Sequence, residues 1–277
     1  MKWILLVSVL FFFSCQQDDA TIKLKGSDTE VNLSAQLAES FHHQNDTLLI
    51  SVSGGGSGLG IASLLNGTTD IANSSRSINA DELSLFKKKS IELDSFVFAR
   101  DAIAFVVSDK LPLDSLSTAD LAKILNGTYT NWSRILNINI PINVYGRQSN
   151  SGTHDFIKSV LRIRFSPDAK QMNGNAQILE AIKADASGIG YVGAGYVMQG
   201  ARNGIKVLKI CIEKSRAISP LDTTQIASGN YIFQRPLFQY YRRRQYQKVK
   251  PFLDFEKSPL GAAIIHSSGY YPANKLP

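Results

Sequence analysis

Apolar and polar positions alternate over residues 21–25, as in a half-buried strand. After Gly26-Ser27-Asp28-Thr29 the spacing becomes helical, and Val31, Leu33, Ala35, Leu37, Ala38 and Phe41 mark an apolar face. The same order then repeats: a strand at residues 48–52, a glycine-rich turn, a short helix at 61–66 and a strand at 70–73. Strand, helix, strand, helix, strand is the pattern of a parallel sheet whose faces are covered. Residues 96–107 form a longer apolar stretch with Arg100-Asp101 in its middle, which suits a segment crossing between two lobes. Further on, the pattern predicts a helix over 117–125 that ends at Asn126-Gly127, with Trp132 following as a packing anchor. It also predicts strands at 140–145, 188–192, 205–212 and 231–238, a helix at 176–184, a surface loop at 215–229, and final helices at 249–255 and 258–266.

Three strand-to-helix junctions share one chemistry. The first is Gly26-Ser27-Asp28-Thr29, rich in residues that cap helices. The second runs from Ser53-Gly54-Gly55-Gly56-Ser57-Gly58-Leu59-Gly60 through to Asn73-Ser74-Ser75-Arg76. The third is Gly146-Arg147-Gln148-Ser149-Asn150-Ser151-Gly152-Thr153, where an arginine fork joins hydroxyls at a helix start. Glycine permits close backbone approach, and a helix N-terminus presents free N–H groups at a positive dipole end, so each junction is a candidate anion cradle. The nucleotide cradles fail. A Walker loop needs Lys directly after its second glycine, where this chain has Ile61 after Gly60, and neither Gly54-x-Gly56 nor Gly58-x-Gly60 reaches the third glycine of the dinucleotide fingerprint.

Composition narrows the partner. The 277 residues are 44% hydrophobic and 19% charged, which predicts packed cores, and the net charge of +7 suits an anion. Lys87-Lys88-Lys89 and Arg242-Arg243-Arg244 are the basic clusters; they read as solvated faces, and no nucleic-acid motif accompanies them. At the amino terminus, Lys2 precedes an apolar run from Trp3 to Phe13 that is too short to span a bilayer as a helix. It leads to Ser14-Cys15, which reads as an export signal with Cys15 as the lipidated residue of a lipoprotein, over residues 1–15. Cys211 then remains alone in an apolar strand, which predicts a buried, inert thiol and no cysteine metal site. Catalysis finds little support: Ser57 lacks the nucleophile elbow, His42 and His43 face different sides of a helix, and Ser151, His154 and Asp155 are too local for a triad.

Gly26-Ser27-Asp28-Thr29, the block 54–76 and Arg147-x-x-x-Ser151-Gly152-Thr153 together resemble the phosphate-binding proteins of bacterial ABC phosphate importers, the PstS-like family. Gly188-Ile189-Gly190-Tyr191-Val192, Arg235-Pro236-Leu237 and the run from Phe252 to Tyr270 resemble it as well, so the likeness covers nearly the whole mature chain. The resemblance implies an α/β, type II periplasmic-binding-protein fold, with two lobes each carrying a central mixed sheet flanked by helices. Residues 20–98 plus 232–277 would form lobe I and 99–231 lobe II, joined by crossover strands that act as hinges. It implies Ser27, Asp28, Thr29, Ser57, Ser75, Arg147, Ser151, Gly152 and Thr153 as phosphate ligands, with no cofactor, metal or nucleic acid. It further implies an exported monomer, anchored to a bacterial membrane through Cys15, that serves a permease. Several family members carry an aspartate at the position of Ser75, where it accepts the proton of phosphate; Asp28 is the candidate replacement. Sulfate, molybdate or tungstate as the ligand, a sensing role, and an exported phosphatase remain open alternatives.

Overall fold

The computed structural model describes residues 21–198, 203–213 and 215–273; Cys15 and the export segment lie outside them. The chain opens with β1 (Thr21–Gly26), α1 (Val31–His42), β2 (Leu49–Ser53), α2 (Ser57–Asn66), β3 (Ile71–Ser74) and α3 (Ala80–Lys88). β1 pairs in parallel with both β2 and β3, as alternating strands and helices require. β4 (Leu93–Ser108) follows, then β5 (Ser115–Ser117), α4 (Thr118–Leu125), β6 (Asn143–Arg147), α5 (Gly152–Leu161), β7 (Lys170–Met172), α6 (Asn175–Ala184), β8 (Gly188–Gly193) and α7 (Ala194–Met198). The rest comprises β9 (Ile205–Val207), β10 (Lys209–Cys211), α8 (Thr223–Ala227), β11 (Gln234–Arg242), α9 (Tyr246–Lys257), α10 (Pro259–Ser267) and β12 (Tyr271–Pro272).

The main sheet runs β2-β1-β3-β11-β4-β8-β6-β7. β4 holds it together. Its first part, Leu93 to Ala102, pairs antiparallel with β11, and its second, Ile103 to Val107, pairs antiparallel with β8. Each side of this handover has its own core. On the first, Leu33, Leu37 and Phe41 of α1 pack on Ile22 and Leu24, and Phe41 meets Phe252 edge-on with centroids 5.5 Å apart. On the second, Phe105, Tyr191, Phe233 and Trp132 are fully buried, and the indole N–H of Trp132 donates to Ser187 O at 2.9 Å. Each Leu of α1 so buried contributes about 1.5–3 kcal/mol. These two packed bodies are called the first and second lobe below.

The structure departs from the sequence pattern at several places. α2 begins at Ser57, four residues before the expected start, and takes in Gly58 and Gly60. A side chain at Gly60 would put Cβ 2.5 Å from Lys25 O, so glycine here serves close packing of helix on strand, where a turn was expected. The stretch 205–212 breaks at Leu208 because its halves have different partners, β9 pairing with β4 and β10 with β5. The expected loop at 215–229 contains α8, whose cap Asp222 accepts the N–H groups of Thr224 and Gln225. The arginine run is only partly a solvated face. Arg242 is buried and donates to Leu64 O and Leu65 O at the end of α2, while exposed Arg243 pairs with Glu92 and Asp94. Cys211 is half-buried rather than buried, its short strand lying in a two-stranded ladder.

Candidate anion-binding site

Three helices begin where β1, β2 and β6 deliver the chain, and their first residues converge with the loop after β3. Ser27 and Thr29 follow β1, Ser57 opens α2, Ser75 follows β3, and Ser151, Gly152 and Thr153 open α5. Ser27, Thr29, Ser57, Ser75, Ser151 and Thr153 are all buried. Ser27 Oγ lies 2.7 Å from Ser75 Oγ, and the Ser75 N–H donates to Ser57 Oγ at 3.1 Å. Ser151 caps α5 by accepting the Thr153 N–H at 3.2 Å. Contact between the lobes is direct: Thr29 Oγ1 and Thr153 Oγ1 are 3.1 Å apart, and a Cβ on Gly152 would fall 2.4 Å from Ser57 Oγ and 2.9 Å from Ser75 Oγ. No residue but glycine fits there while the lobes stand this close.

One guanidinium, that of Arg235, adjoins the hydroxyls, and a second, that of Arg147, is held by Asp28. Arg235 leaves β11 directly opposite Asp101 of β4 in the sheet register and pairs with its carboxylate at 3.1 Å, both being buried. The same guanidinium donates to Ser75 O at 3.3 Å, Thr29 Oγ1 at 3.2 Å and Thr153 Oγ1 at 2.9 Å. Burial pushes the Asp101 carboxyl up to about 6, against the pull of Arg235. Arg147, at the end of β6, donates to Asp28 Oδ2 at 3.2 Å and Asn173 O at 2.9 Å, and its backbone N–H is held by the Tyr191 hydroxyl at 2.9 Å. Burial, helped by the neighbouring charge of Arg235, lowers its pKa, with Asp28 opposing. The Nε of each arginine is buried and has no hydrogen-bond partner. Each guanidinium is thus held by one carboxylate and keeps one buried donor unmet, a donor set suited to an anion.

Asp28 stands apart from the hydroxyl cluster. It lines a cleft of ≈ 400 Å³ with Gly55, Asn173, Gly174 and Tyr196. Its Oδ2 accepts from Arg147 and from both the backbone and side-chain N–H groups of Asn175, the latter two at 2.9 Å. Asp28 is thus a tie from the first lobe to the second. Tyr196 and Tyr270 fix the same turn by donating to Asp28 O at 2.7 Å and Thr29 O at 2.6 Å.

Of the residues expected from the sequence, the structure brings Ser27, Thr29, Ser57, Ser75, Ser151, Gly152 and Thr153 together as neighbours, and it pairs Arg147 with Asp28, a contact the sequence did not suggest. The sequence reading missed Arg235, Asp101 and Asn175. A signal for the first two was present: Arg100-Asp101 interrupts an apolar strand, and a charge buried there requires a partner.

Residues 15–259 match the family described as the PBP superfamily domain. The chain belongs to that superfamily. Within it, this chain is 26% identical over 279 residues to the phosphate-binding protein PstS of Borreliella burgdorferi, covering 96% of each. It is 29% identical over 264 residues to protein SphX of Synechococcus elongatus, covering 91% of this chain and 77% of that one. Among solved structures, an ABC-type phosphate transport receptor from Vibrio cholerae superposes with a TM-score of 0.71 at 25% identity, covering 90% of this chain and 99% of that one. A phosphate ABC transporter substrate-binding protein from Clostridium perfringens, with bound phosphate, gives 0.81 at 21% identity over 91% and 99%. The type II binding-protein fold expected from the sequence is the fold observed.

Proposed function

We propose that this chain captures inorganic phosphate between its two lobes and delivers it to the permease of an ABC importer. The observation that carries the reading is the inter-lobe hydroxyl cluster with the Arg235 guanidinium on it, together with the unmet Nε donors of Arg235 and Arg147. A phosphate that loses its water on entering needs many neutral donors and compensating charge, and this site offers both. Ser27, Thr29, Ser57, Ser75, Arg147, Ser151, Gly152 and Thr153 would hold the ligand. Asp28 would take its proton through Oδ1, since Oδ2 is occupied by Arg147 and Asn175. The relatives named for phosphate binding support the ligand class.

In this reading lobe I comprises residues 20–98 and 232–277 and lobe II 99–231, with hinges near 99–104 and 232–236. The chain acts as an exported, monomeric, non-catalytic receptor, held to the membrane by a lipid on Cys15. Among the described residues no helix is long and apolar enough to cross a membrane. Small-angle scattering of the purified mature chain tests the trap: the radius of gyration should fall when phosphate is added, and an identical profile at demonstrated saturation counts against it. Incubation with a chromogenic phosphate ester should release no colour; steady release would make the chain an exported phosphatase.

A further inference from the structure

Glu30 lies in the turn between Ser27 and α1, and the ligand set above gives it no task. It is 0% exposed, and neither carboxylate oxygen has a hydrogen bond of good geometry. The hydroxyl poised to make one belongs to Ser27, whose Oγ lies 2.7 Å from Ser75 Oγ; in that pair either oxygen can donate. The charged groups acting on Glu30 come from three other elements: Arg235 on β11, Asp101 on β4 and Glu256 on α9. Arg235 is already paired with Asp101, and the two carboxylates repel a third negative charge. Burial pushes the Glu30 carboxyl well above the ordinary carboxylate range, while the Ser27 hydroxyl and Arg235 hold it down in part.

An ionised Glu30 would draw the Ser27 hydroxyl proton toward itself and leave the hydroxyl pair facing the site with lone pairs. A protonated Glu30 can donate to Ser27 Oγ; Ser27 then donates to Ser75, and Ser75 to the ligand. We propose that Glu30 is a positioning residue that carries a proton in the anion-binding form and, through Ser27, turns the Ser27–Ser75 hydroxyls into donors toward bound phosphate. Affinity is then lost as Glu30 ionises. The inference rests on the phosphate reading of the site.

Glu30→Gln tests it, because the amide matches the acid in size, carries no charge at any pH and keeps an N–H for Ser27. Parent and variant are titrated calorimetrically with inorganic phosphate from about pH 6 to pH 9, and the ionisation of phosphate itself cancels in the ratio of their Kd values. The two should agree within about threefold at the acid end, with the parent binding at least about tenfold more weakly than the variant at the alkaline end. A ratio that stays constant across the range, which a merely structural Glu30 would give, overturns the proposal. Should the variant not fold, the parent is titrated at about pH 9 in two buffers of different ionisation enthalpy, where phosphate is already the dianion. Proton uptake on binding is expected there, and its absence overturns the proposal. A parent that binds no phosphate at any pH overturns the receptor reading itself, and this inference with it.

Discussion

The floor and the mouth of the cleft each hold one arginine and one aspartate, and the two pairs are built differently. Arg235 and Asp101 face each other across neighbouring strands of one continuous sheet, both buried. Arg147 and Asp28 join different lobes, and the Asp28 side chain is 22% exposed. A ladder pair survives any motion that leaves the ladder intact, whereas a pair between lobes must break when they part. The floor is therefore a fixed pair that stays in place as the lobes move, and the mouth is a contact that reports closure.

The largest expected effect is at the floor. Arg235→Ala leaves Asp101 buried without its cation and should lower the unfolding free energy in urea by about 3–5 kcal/mol. Arg147→Ala should lower it much less, because Asp28 keeps both Asn175 donors and some contact with water. Equal losses for the two variants would erase the distinction. Affinity should divide the other way. In a chain that stays folded, Arg147→Ala should weaken phosphate binding by at least tenfold, on the order of 2–5 kcal/mol; titration showing the parent affinity would remove Arg147 from the grip.

Glu256 extends the comparison to a carboxylate with no cation paired to it. Its Oε1 accepts from Gln239 at 2.9 Å, and burial raises its pKa to about 8 from the ordinary 4.5, against that hydrogen bond and the more distant Lys257. The native state therefore holds a proton that the unfolded chain has released, so stability falls as pH rises from 4.5 toward 8. Glu256→Gln should flatten that decline and melt higher than the parent at pH 8 by roughly a few degrees. A parallel decline in both proteins would place the titrating group elsewhere.

The smallest effect belongs to the tie. Asp28→Asn keeps an acceptor and a turn-favouring side chain but removes the charge, which weakens the hydrogen bonds from Arg147 and Asn175 by about 1 kcal/mol. Ligand-free protein should then scatter with a larger radius of gyration than the parent. An unchanged radius would mean that contacts such as Gly58 N–H to Asn150 O, at 3.0 Å, hold the lobes unaided.

What could be read from the chain alone follows from the range of the forces involved. α1 was legible because its burial is periodic, and the cradle residues because capping and close approach are local. Gly58 and Gly60 misled because helix propensity is local, while the reason for Gly60 is the carbonyl of Lys25 on another strand. Arg235 and Asp101 lie 134 positions apart. Each was visible as a charge in a strand, and only the antiparallel register of β11 and β4 makes them partners. The tie that Asp28 makes could not be read because its two lobe-II partners, Arg147 and Asn175, are remote in sequence.

The central claim is that an anion completes the two-arginine, multi-hydroxyl site and that the anion is phosphate. Calorimetric titration of the purified mature chain with phosphate, sulfate and molybdate tests it most directly. One phosphate should bind per chain, at least about tenfold more tightly than either competitor. No saturable heat with phosphate, or tighter binding of sulfate or molybdate, would contradict the account.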